Sequence, residues 1–250
     1  MKFPQTNLDA DGRISIREKI SYGFGDVACN VVFALTMSLS TYFYTDVVGM
    51  SAALVGTILL LSRVFDGISD VVIGILVDRT HSRFGKARAW VLWMTVPYGV
   101  SAILLFMVPA HATTVVQGIY VFITYNLAVT FVYTALNLPY GTLAALMTRN
   151  QNERAIINIF RMGMAPVGNM IVTAATLPFI NRMGGDQKAW ITVTIIYSLI
   201  AMVMLLICFF GCKERVHIAA TPQSAKIPLK VGFKAMIANK YWWLITVMYF

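Results

Sequence analysis

The chain has 250 residues, of which 58% are hydrophobic and only 12% charged, with a mean hydropathy of +0.70. This composition excludes a soluble domain and indicates a polytopic membrane protein built from transmembrane helices. The formal net charge of +9 would suit nucleic acid or anionic lipid as a partner, so the positions of the basic residues decide what the charge means.

Apolar runs predict six transmembrane helices and the start of a seventh. The six runs cover residues 22–44, 52–77, 89–108, 118–146, 156–179 and 189–211. We expect an all-α N-terminal six-helix bundle over 1–211, a basic cytoplasmic linker over 212–240, and the start of helix 7 over 241–250. Because ten apolar residues are too few to cross a bilayer, we interpret the chain as part of a longer protein.

The basic residues follow the predicted topology. With the N-terminus in the cytoplasm, 16 of the 20 Lys and Arg lie on the inner side and two on the outer side, while Arg63 and Arg161 fall within spans. This asymmetry is the positive-inside pattern. The net charge therefore reflects topology, and we expect no nucleic-acid partner.

The second span contains three charged residues, Arg63, Asp66 and Asp70. On an insertion scale the charges cost about 7.5 to 10.5 kcal/mol, whereas its 15 Leu, Ile, Val and Phe return about 4.5 to 9 kcal/mol. The free energy of inserting this span into a membrane by itself is therefore close to zero. At about 100° per residue the three charges share one narrow face, which must point to other helices or to a watery cavity.

Two interpretations of this charged face remain open. The three residues are either a structural ion-pair network that holds helices together, or a cation site. In the second case two carboxylates one helical turn apart bind Na⁺ through oxygen ligands or take up a proton. The spacing of the residues does not separate the two ions.

Helix 1 carries two polar residues, Asp26 and Asn30. We interpret Asp26 as a solvated residue at the start of the helix, a favourable place for an acid, in preference to a site residue. Asn30 lies one turn deeper, where its amide needs hydrogen-bond partners.

Helices 4 and 5 carry the remaining polar residues of the spans. Tyr133, Thr134 and Asn137 lie within about one turn of each other and are followed by Pro139, whose freed carbonyl permits a bend of the kind found near transport sites. The alternative is a polar helix–helix contact. Arg161 lies inside helix 5, so we expect it to pair with Asp66, with Asp70 or with an anionic substrate.

A tight turn after helix 2 combines one acid with several bases. Its charged residues are Asp78, Arg79, Arg83 and Lys86. By itself the turn is an ordinary positive-inside loop. It is, however, similar to the signature loop of the major facilitator superfamily, in which such charges latch neighbouring helices on the cytoplasmic side.

Several motifs in the right order carry a narrower resemblance. They span residues 17–216 and read REKISYGFGD, YFYTDVVG, SRVFDGISD, LVDRTHSRFGKAR, LNLPYGTL, NER followed by Arg161, and CKERV. Taken together, they resemble the glycoside-pentoside-hexuronide:cation symporters, the family of melibiose permease and the bacterial glucuronide carriers. The resemblance implies the first half of a twelve-helix transporter in the bacterial inner membrane.

The resemblance also implies roles for individual residues. The coupling cation, Na⁺ or H⁺, would bind at Asp66, Asp70, Thr134 and Asn30. The sugar would bind at Asn30, Arg63, Tyr133, Asn137 and Arg161. The cytoplasmic latch would be Asp78, Arg79, Arg83 and Lys86.

The chain departs from the melibiose-type pattern at two positions, where such members carry aspartate and this chain has Asn30 and Asn137. Two carboxylates would repel an anionic sugar, whereas two amides beside Arg161 would favour a hexuronide carboxylate. We therefore expect cation-coupled uptake of a glycoside, with a glucuronide favoured. The expected partners are the sugar, the monovalent cation and membrane lipid, with no further cofactor or metal, and the expected state is a monomer.

Other functional classes fit the sequence less well than a symporter does. An enzyme is disfavoured because the sequence has no HExxH, no GxSxG and no His/Cys metal cluster, and its three histidines lie in predicted loops. A channel is disfavoured because the charges cluster at one depth of helix 2. A sugar-binding sensor or scaffold with a transporter fold remains the alternative.

Overall fold

The computed structural model describes residues 13–80, 82–110, 112–216, 238–240 and 243. Within these ranges the chain forms six long helices and no β-strand. The helices are α1 Ile16–Val47, α2 Ala52–Arg79, α3 Ala87–Phe106, α4 Thr114–Met147, α5 Gln151–Arg182 and α6 Gln187–Gly211. Most of the predicted linker over 212–240, the predicted start of helix 7 except Trp243, and all three histidines lie outside the described residues.

Each predicted apolar run lies in one of these helices, except that α3 ends two residues earlier than predicted. Helix α2 begins at Ala52, where its run begins, whereas the other helices begin before their runs because their first turns contain polar residues. Ser15, Ser51, Asn150 and Asp186 each accept a hydrogen bond from a backbone N–H of the following turn. Such N-caps satisfy donors that have no partner inside the helix, so hydropathy marks only the apolar middle of each helix.

Five of the six helices are long and apolar enough to cross a membrane, namely α1, α3, α4, α5 and α6. The exception is α2, the helix that contains Arg63, Asp66 and Asp70. This agrees with the marginal insertion balance of its sequence. The chain is therefore an all-α, multi-pass membrane protein.

Helix α1 packs against α5 and α6, α3 packs against α6 and α4, and α2 packs mainly against α4. A glycine permits a close approach of α1 to two other helices. A Cβ atom at Gly25 would lie 2.5 Å from Cε2 of Tyr140 and 2.8 Å from Sγ of Cys208. Small residues at such positions let membrane helices approach closely.

Two of the helices contain π-helical turns. They occur at Leu35–Leu39 and Phe43–Val47 in α1 and at Asn126–Tyr133 in α4. A π-turn holds more residues than an α-turn, so it changes which side chains share a face, and such turns are frequent at functional sites. The turn in α4 lies where that helix meets α2.

One end of the bundle, which we call the basic end, is formed by residues 13–19, 78–80, 82–88, 148–154 and 212–216. Buried or part-buried ion pairs join its segments. Lys19 Nζ lies 2.8 Å from Glu153 Oε2, and Arg215 Nη1 lies 2.7 Å from Glu18 Oε1. The carboxylate of Glu214 accepts hydrogen bonds from three successive backbone N–H groups at the start of α3, where the helix dipole favours an anion.

The four residues predicted to form a latch lie at this basic end. Lys86 Nζ is 2.8 Å from Asp78 Oδ1, and the guanidinium of Arg83 lies 4.7 Å from the ring centre of Phe84. Arg79 ends α2. The structure thus brings Asp78 and Lys86 together, with Arg83 on the neighbouring aromatic ring.

Candidate functional site

A cavity of about 1180 Å³ opens between α1, α4 and α5. Four of the five residues predicted to bind sugar line it: Asn30, Tyr133, Asn137 and Arg161. The other residues of its wall are Asp26, Asn158, Met162, Ala165, Pro166, Asn169, Met170, Thr173 and Ala174. The cavity therefore combines amides, a phenol, a hydroxyl and one pair of opposite charges with an apolar floor.

Asp26 is the ion-pair partner of Arg161. Its Oδ1 lies 3.3 Å from Arg161 Nε, and the residue is only 7% exposed. The prediction of a solvated Asp26 at the helix start is therefore wrong, because α1 begins at Ile16 and Asp26 lies about three turns inside it. The partner of Arg161 is likewise neither Asp66 nor Asp70.

Two stacked tyrosines lie against the guanidinium of Arg161. The rings of Tyr22 and Tyr140 lie 4.6 Å apart at 15°, and the guanidinium of Arg161 lies 5.4 Å from the centre of the Tyr140 ring. Tyr140 donates a 2.6 Å hydrogen bond to the Tyr22 carbonyl, and Tyr22 donates a 3.2 Å hydrogen bond to the Tyr140 carbonyl. These reciprocal bonds fix α1 against α4 directly under the charged pair.

Asn30 and Tyr133 occupy the adjoining wall. The side-chain amide of Asn30 donates to the backbone carbonyl of Asp26 at 2.8 Å, which supplies the partner that the sequence required. Tyr133 stacks on Phe33 with ring centres 5.0 Å apart. The structure places Asn30 in the cavity wall, not among the hydrogen-bonded groups around Asp66 and Asp70.

A second polar region joins α2 to α4, and we call it the polar ladder. In the described part of the chain it consists of three side-chain hydrogen bonds: Asn126 to Ser62 at 2.9 Å, Thr130 to Asp66 at 2.5 Å, and Thr134 to Asp70 at 3.2 Å. In every rung the two residues are 64 positions apart. The two helices are therefore parallel and in register, with one rung per turn.

Burial changes along the polar ladder. Ser62 and Thr130 are fully buried and Asn126 is 8% exposed, while Asp66 is half-buried and Asp70 is exposed. Thr130 also accepts, through its backbone carbonyl, a 3.0 Å hydrogen bond from Ser69. The carboxylates are thus held on one side by hydroxyl groups and are open on the other.

Arg63 lies beside the polar ladder and outside the cavity. Its Nη1 is 3.5 Å from Asp66 Oδ2, and its side chain is 66% exposed. An exposed pair of this length contributes little to stability. The structure therefore separates Arg63 from the other residues that were predicted to bind sugar.

Sequence reasoning missed Asp26, Ser62, Asn126 and Thr130. A signal for the last three was present, because Ser62, Asp66 and Asp70 repeat every four residues and so do Asn126, Thr130 and Thr134. Equal spacing on two helices predicts matching faces. No comparable signal marks the pairing of Asp26 with Arg161.

Other reactive groups are few in the described ranges. No group of three or more His, Cys, Asp or Glu comes together there as a metal site. Cys29, Cys208 and Cys212 are free and buried, and they pack as small apolar residues of the bundle.

A multi-pass bundle with a polar cavity beside a pair of membrane carboxylates defines a membrane protein of the transporter class. The chain belongs to the MFS/sugar transport protein family, whose model matches residues 21–250. This is a family of transporters of the major facilitator superfamily and not of enzymes.

Three curated relatives illustrate the similarity. The chain is 36% identical over 234 residues to the putative glycoside/cation symporter YagG of Escherichia coli (strain K12), covering 92% of the chain and 49% of the relative. It is 36% identical over 238 residues to the isoprimeverose transporter of Lactiplantibacillus pentosus (93% and 49%). It is 34% identical over 242 residues to the glucuronide carrier protein homolog of Escherichia coli (strain K12) (94% and 51%). The chain spans about half the length of these relatives.

Proposed function

We propose that the chain is the N-terminal half of a cation-coupled glycoside symporter of the bacterial inner membrane, with its N-terminus in the cytoplasm. The observation that carries this proposal is that one helix, α4, serves two sites. Thr130 and Thr134 of α4 bond the carboxylates of α2, while Tyr133 and Asn137 line the cavity. Because α4 contributes to both sites, binding of a cation beside α2 can change the positions of the side chains that line the cavity.

The polar ladder supplies the proposed cation site. Asp66 and Asp70 offer carboxylate oxygens one turn apart, and the hydroxyls of Thr130 and Thr134 lie within hydrogen-bond distance of them. Oxygen ligands of this kind bind Na⁺, and the same carboxylates can bind a proton. The resemblance assigns Asn30 to both the cation and the sugar. Because Asn30 lines the cavity, we assign it to sugar binding.

The cavity supplies the proposed sugar site. Its amides, phenol and guanidinium suit the hydroxyl groups of a glycoside, and a volume of about 1180 Å³ exceeds that of ordinary ligand pockets, which are about 300 to 1000 Å³. Asn30, Asn137 and Arg161 favour an anionic glycoside such as a glucuronide. The names of the relatives, which include a glucuronide carrier homolog and an isoprimeverose transporter, support a glycoside without choosing between charged and neutral ones.

The proposed mechanism is alternating access. Cation binding reduces the negative charge at Asp66 and Asp70, sugar binding fills the cavity, and the two halves of the full protein rock about the central site. Coupling then requires each ligand to raise the affinity for the other by the same factor. The contacts at the basic end, including Asp78 with Lys86, would hold one of the two conformations.

The test uses the full-length protein in a host that lacks related carriers. Uptake of a labelled glucuronide and a labelled galactoside is measured under imposed Na⁺ or H⁺ gradients. We expect gradient-driven accumulation that Asp66→Asn abolishes and that Asp46→Asn, a matched change at an exposed position of α1, preserves. Accumulation that survives Asp66→Asn would overturn the cation role. Sugar binding without accumulation would favour the sensor or scaffold.

A further inference from the structure

The Asp26–Arg161 pair makes the cavity electrically neutral. Among its lining residues in the described part of the chain, Asp26 is the one carboxylate and Arg161 is the one cation. The remaining polar residues of the wall are amides, a phenol and a hydroxyl. An anionic glycoside would therefore enter a cavity whose cation already has a counter-ion.

The geometry of the pair leaves the guanidinium open to a second acceptor. Asp26 contacts Arg161 through Nε, and Tyr140 covers one face of the guanidinium. The Arg161 side chain is 30% exposed, whereas that of Asp26 is 10% exposed. A ligand in the cavity can thus reach the guanidinium, while Asp26 lines the same cavity but is less exposed.

In the described part of the chain, Asp26 has no second cation near it. The titratable groups around it are Tyr22 and Cys29 of α1, Tyr133 and Tyr140 of α4, Arg161 of α5, and Cys208 of α6, which contacts the adjacent Gly25 position. Among these groups in the described residues, only Arg161 is positively charged. If a ligand carboxylate replaces Asp26 on Arg161, the aspartate is left as an unpaired buried anion, which is costly in a low-dielectric surrounding.

A proton removes that cost. We infer that Asp26 is a proton-binding counter-ion of the sugar cavity: the carboxylate of an anionic glycoside takes its place on Arg161, and Asp26 binds one proton from the solvent in the cavity. The total charge of the cavity then stays at zero in the empty and the occupied state. This inference rests on the proposed glycoside binding, and it places a proton site apart from the cation site at Asp66 and Asp70.

Neutral glycosides behave differently in this scheme. Their hydroxyl groups bridge Asp26 and Arg161 without separating them, so no proton is taken up at Asp26. The affinity for an anionic glycoside rises as the pH falls, by up to about tenfold per pH unit while one proton is bound with it. The affinity for the neutral analogue lacks this contribution.

The experiment is titration calorimetry of the purified full-length protein at saturating Na⁺. The probes are 4-nitrophenyl β-glucuronide and its neutral analogue 4-nitrophenyl β-glucoside, each in phosphate and in Tris at the same pH. The dependence of the binding enthalpy on the ionisation enthalpy of the buffer gives the protons bound. We expect the glucuronide to take up about one proton more than the glucoside, a difference that Asp26→Asn removes and Asp46→Asn retains.

The possible results separate the role of Asp26 from glycoside binding itself. Equal proton uptake with the two probes in the wild-type protein would overturn the role of Asp26 while leaving glycoside binding in place. A difference that persists in Asp26→Asn would also overturn it. Binding of neither probe by the folded protein would overturn the proposed glucuronide binding, on which this inference rests. The comparison of the two probes in the wild-type protein needs no variant, so equal proton uptake there would overturn the inference even if Asp26→Asn does not fold.

Discussion

The carboxylate of Glu18 accepts hydrogen bonds from both terminal nitrogens of Arg215, at 2.7 and 2.8 Å. The two residues are 197 positions apart, and the Glu18 side chain is 6% exposed. This bidentate pair ties the first turn of α1 to the segment that follows α6. The hydrogen bonds of Glu18 hold the pKa of the Arg215 guanidinium above its usual range, so Arg215 keeps its charge at any physiological pH.

Removing one member of this pair should destabilise the bundle. Glu18→Gln leaves Arg215 charged and without its carboxylate, at an expected cost of about 3 to 5 kcal/mol for a buried pair. The measurement is the unfolding temperature in detergent, followed with a thiol-reactive dye that labels the buried cysteines as they become exposed. Adding Arg215→Gln should recover part of the loss. Losses that simply add would mean that the pair makes no net contribution.

Gly85 should tolerate alanine less well than Gly184. Both residues have a φ of +107°, a conformation that L side chains rarely adopt, but only Gly85 has a close neighbour. A Cβ atom there would lie 2.5 Å from Cδ of Glu214, whereas one at Gly184 would meet nothing within 4 Å. Gly184→Ala should cost about 1 to 2 kcal/mol from backbone strain. Gly85→Ala should cost more, because it also displaces the cap of α3. Equal unfolding temperatures for the two variants would show that Glu214 contributes nothing at this position.

Thr130 should affect cation affinity more than sugar affinity. Thr130→Val keeps the shape of the side chain but removes the hydroxyl that donates to Asp66. A hydrogen bond to a charged group contributes about 1.5 to 3 kcal/mol, so the Na⁺ or H⁺ concentration for half-maximal sugar binding should change by about tenfold or more. Thr130→Ser retains the hydroxyl and serves as the control. If Thr130→Val had the cation dependence of the wild type, Thr130 would not be part of the cation site.

Tyr140→Phe should lower stability while leaving the cavity chemistry intact. The change removes the 2.6 Å bond to the Tyr22 carbonyl, at an expected cost of about 1 kcal/mol. The phenylalanine ring still lies under Arg161 and can still stack on Tyr22. The unfolding temperature should therefore fall while the glycoside dissociation constant stays within about threefold, a change of less than 1 kcal/mol. A larger loss of affinity than of stability would make the hydroxyl part of the binding site.

The helices could be predicted because each span is a long apolar run, and such a run specifies a helix before any tertiary contact is known. Their first turns could not be read in the same way, since they are polar and stabilised by caps. This error of a few residues mattered for Asp26. With α1 beginning at Ile16, the residue moved from the predicted surface to the wall of the cavity.

The candidate site could be predicted in part. Spacings of four placed Asn30 one turn beyond Asp26 and Asn137 one turn beyond Tyr133, because helical geometry alone decides such neighbours. Partners on different helices could not be found in this way. Arg161 of α5 pairs with Asp26 of α1, and Glu18 pairs with Arg215, which lies 197 positions further along the chain. Only the packed structure shows which of several acids each base meets.

The constant separation of 64 residues along the polar ladder has a mechanical consequence. The rungs repeat once per turn on both helices. If α2 slid past α4 by one turn, about 5.4 Å, each side chain of α2 would therefore reach the hydrogen-bond partner of its neighbour one turn away. Asp66 would meet the former partner of Asp70 or of Ser62, and only one terminal rung would be lost. The α2–α4 contact can thus adopt a second register, displaced by one turn, that keeps two of its three side-chain hydrogen bonds.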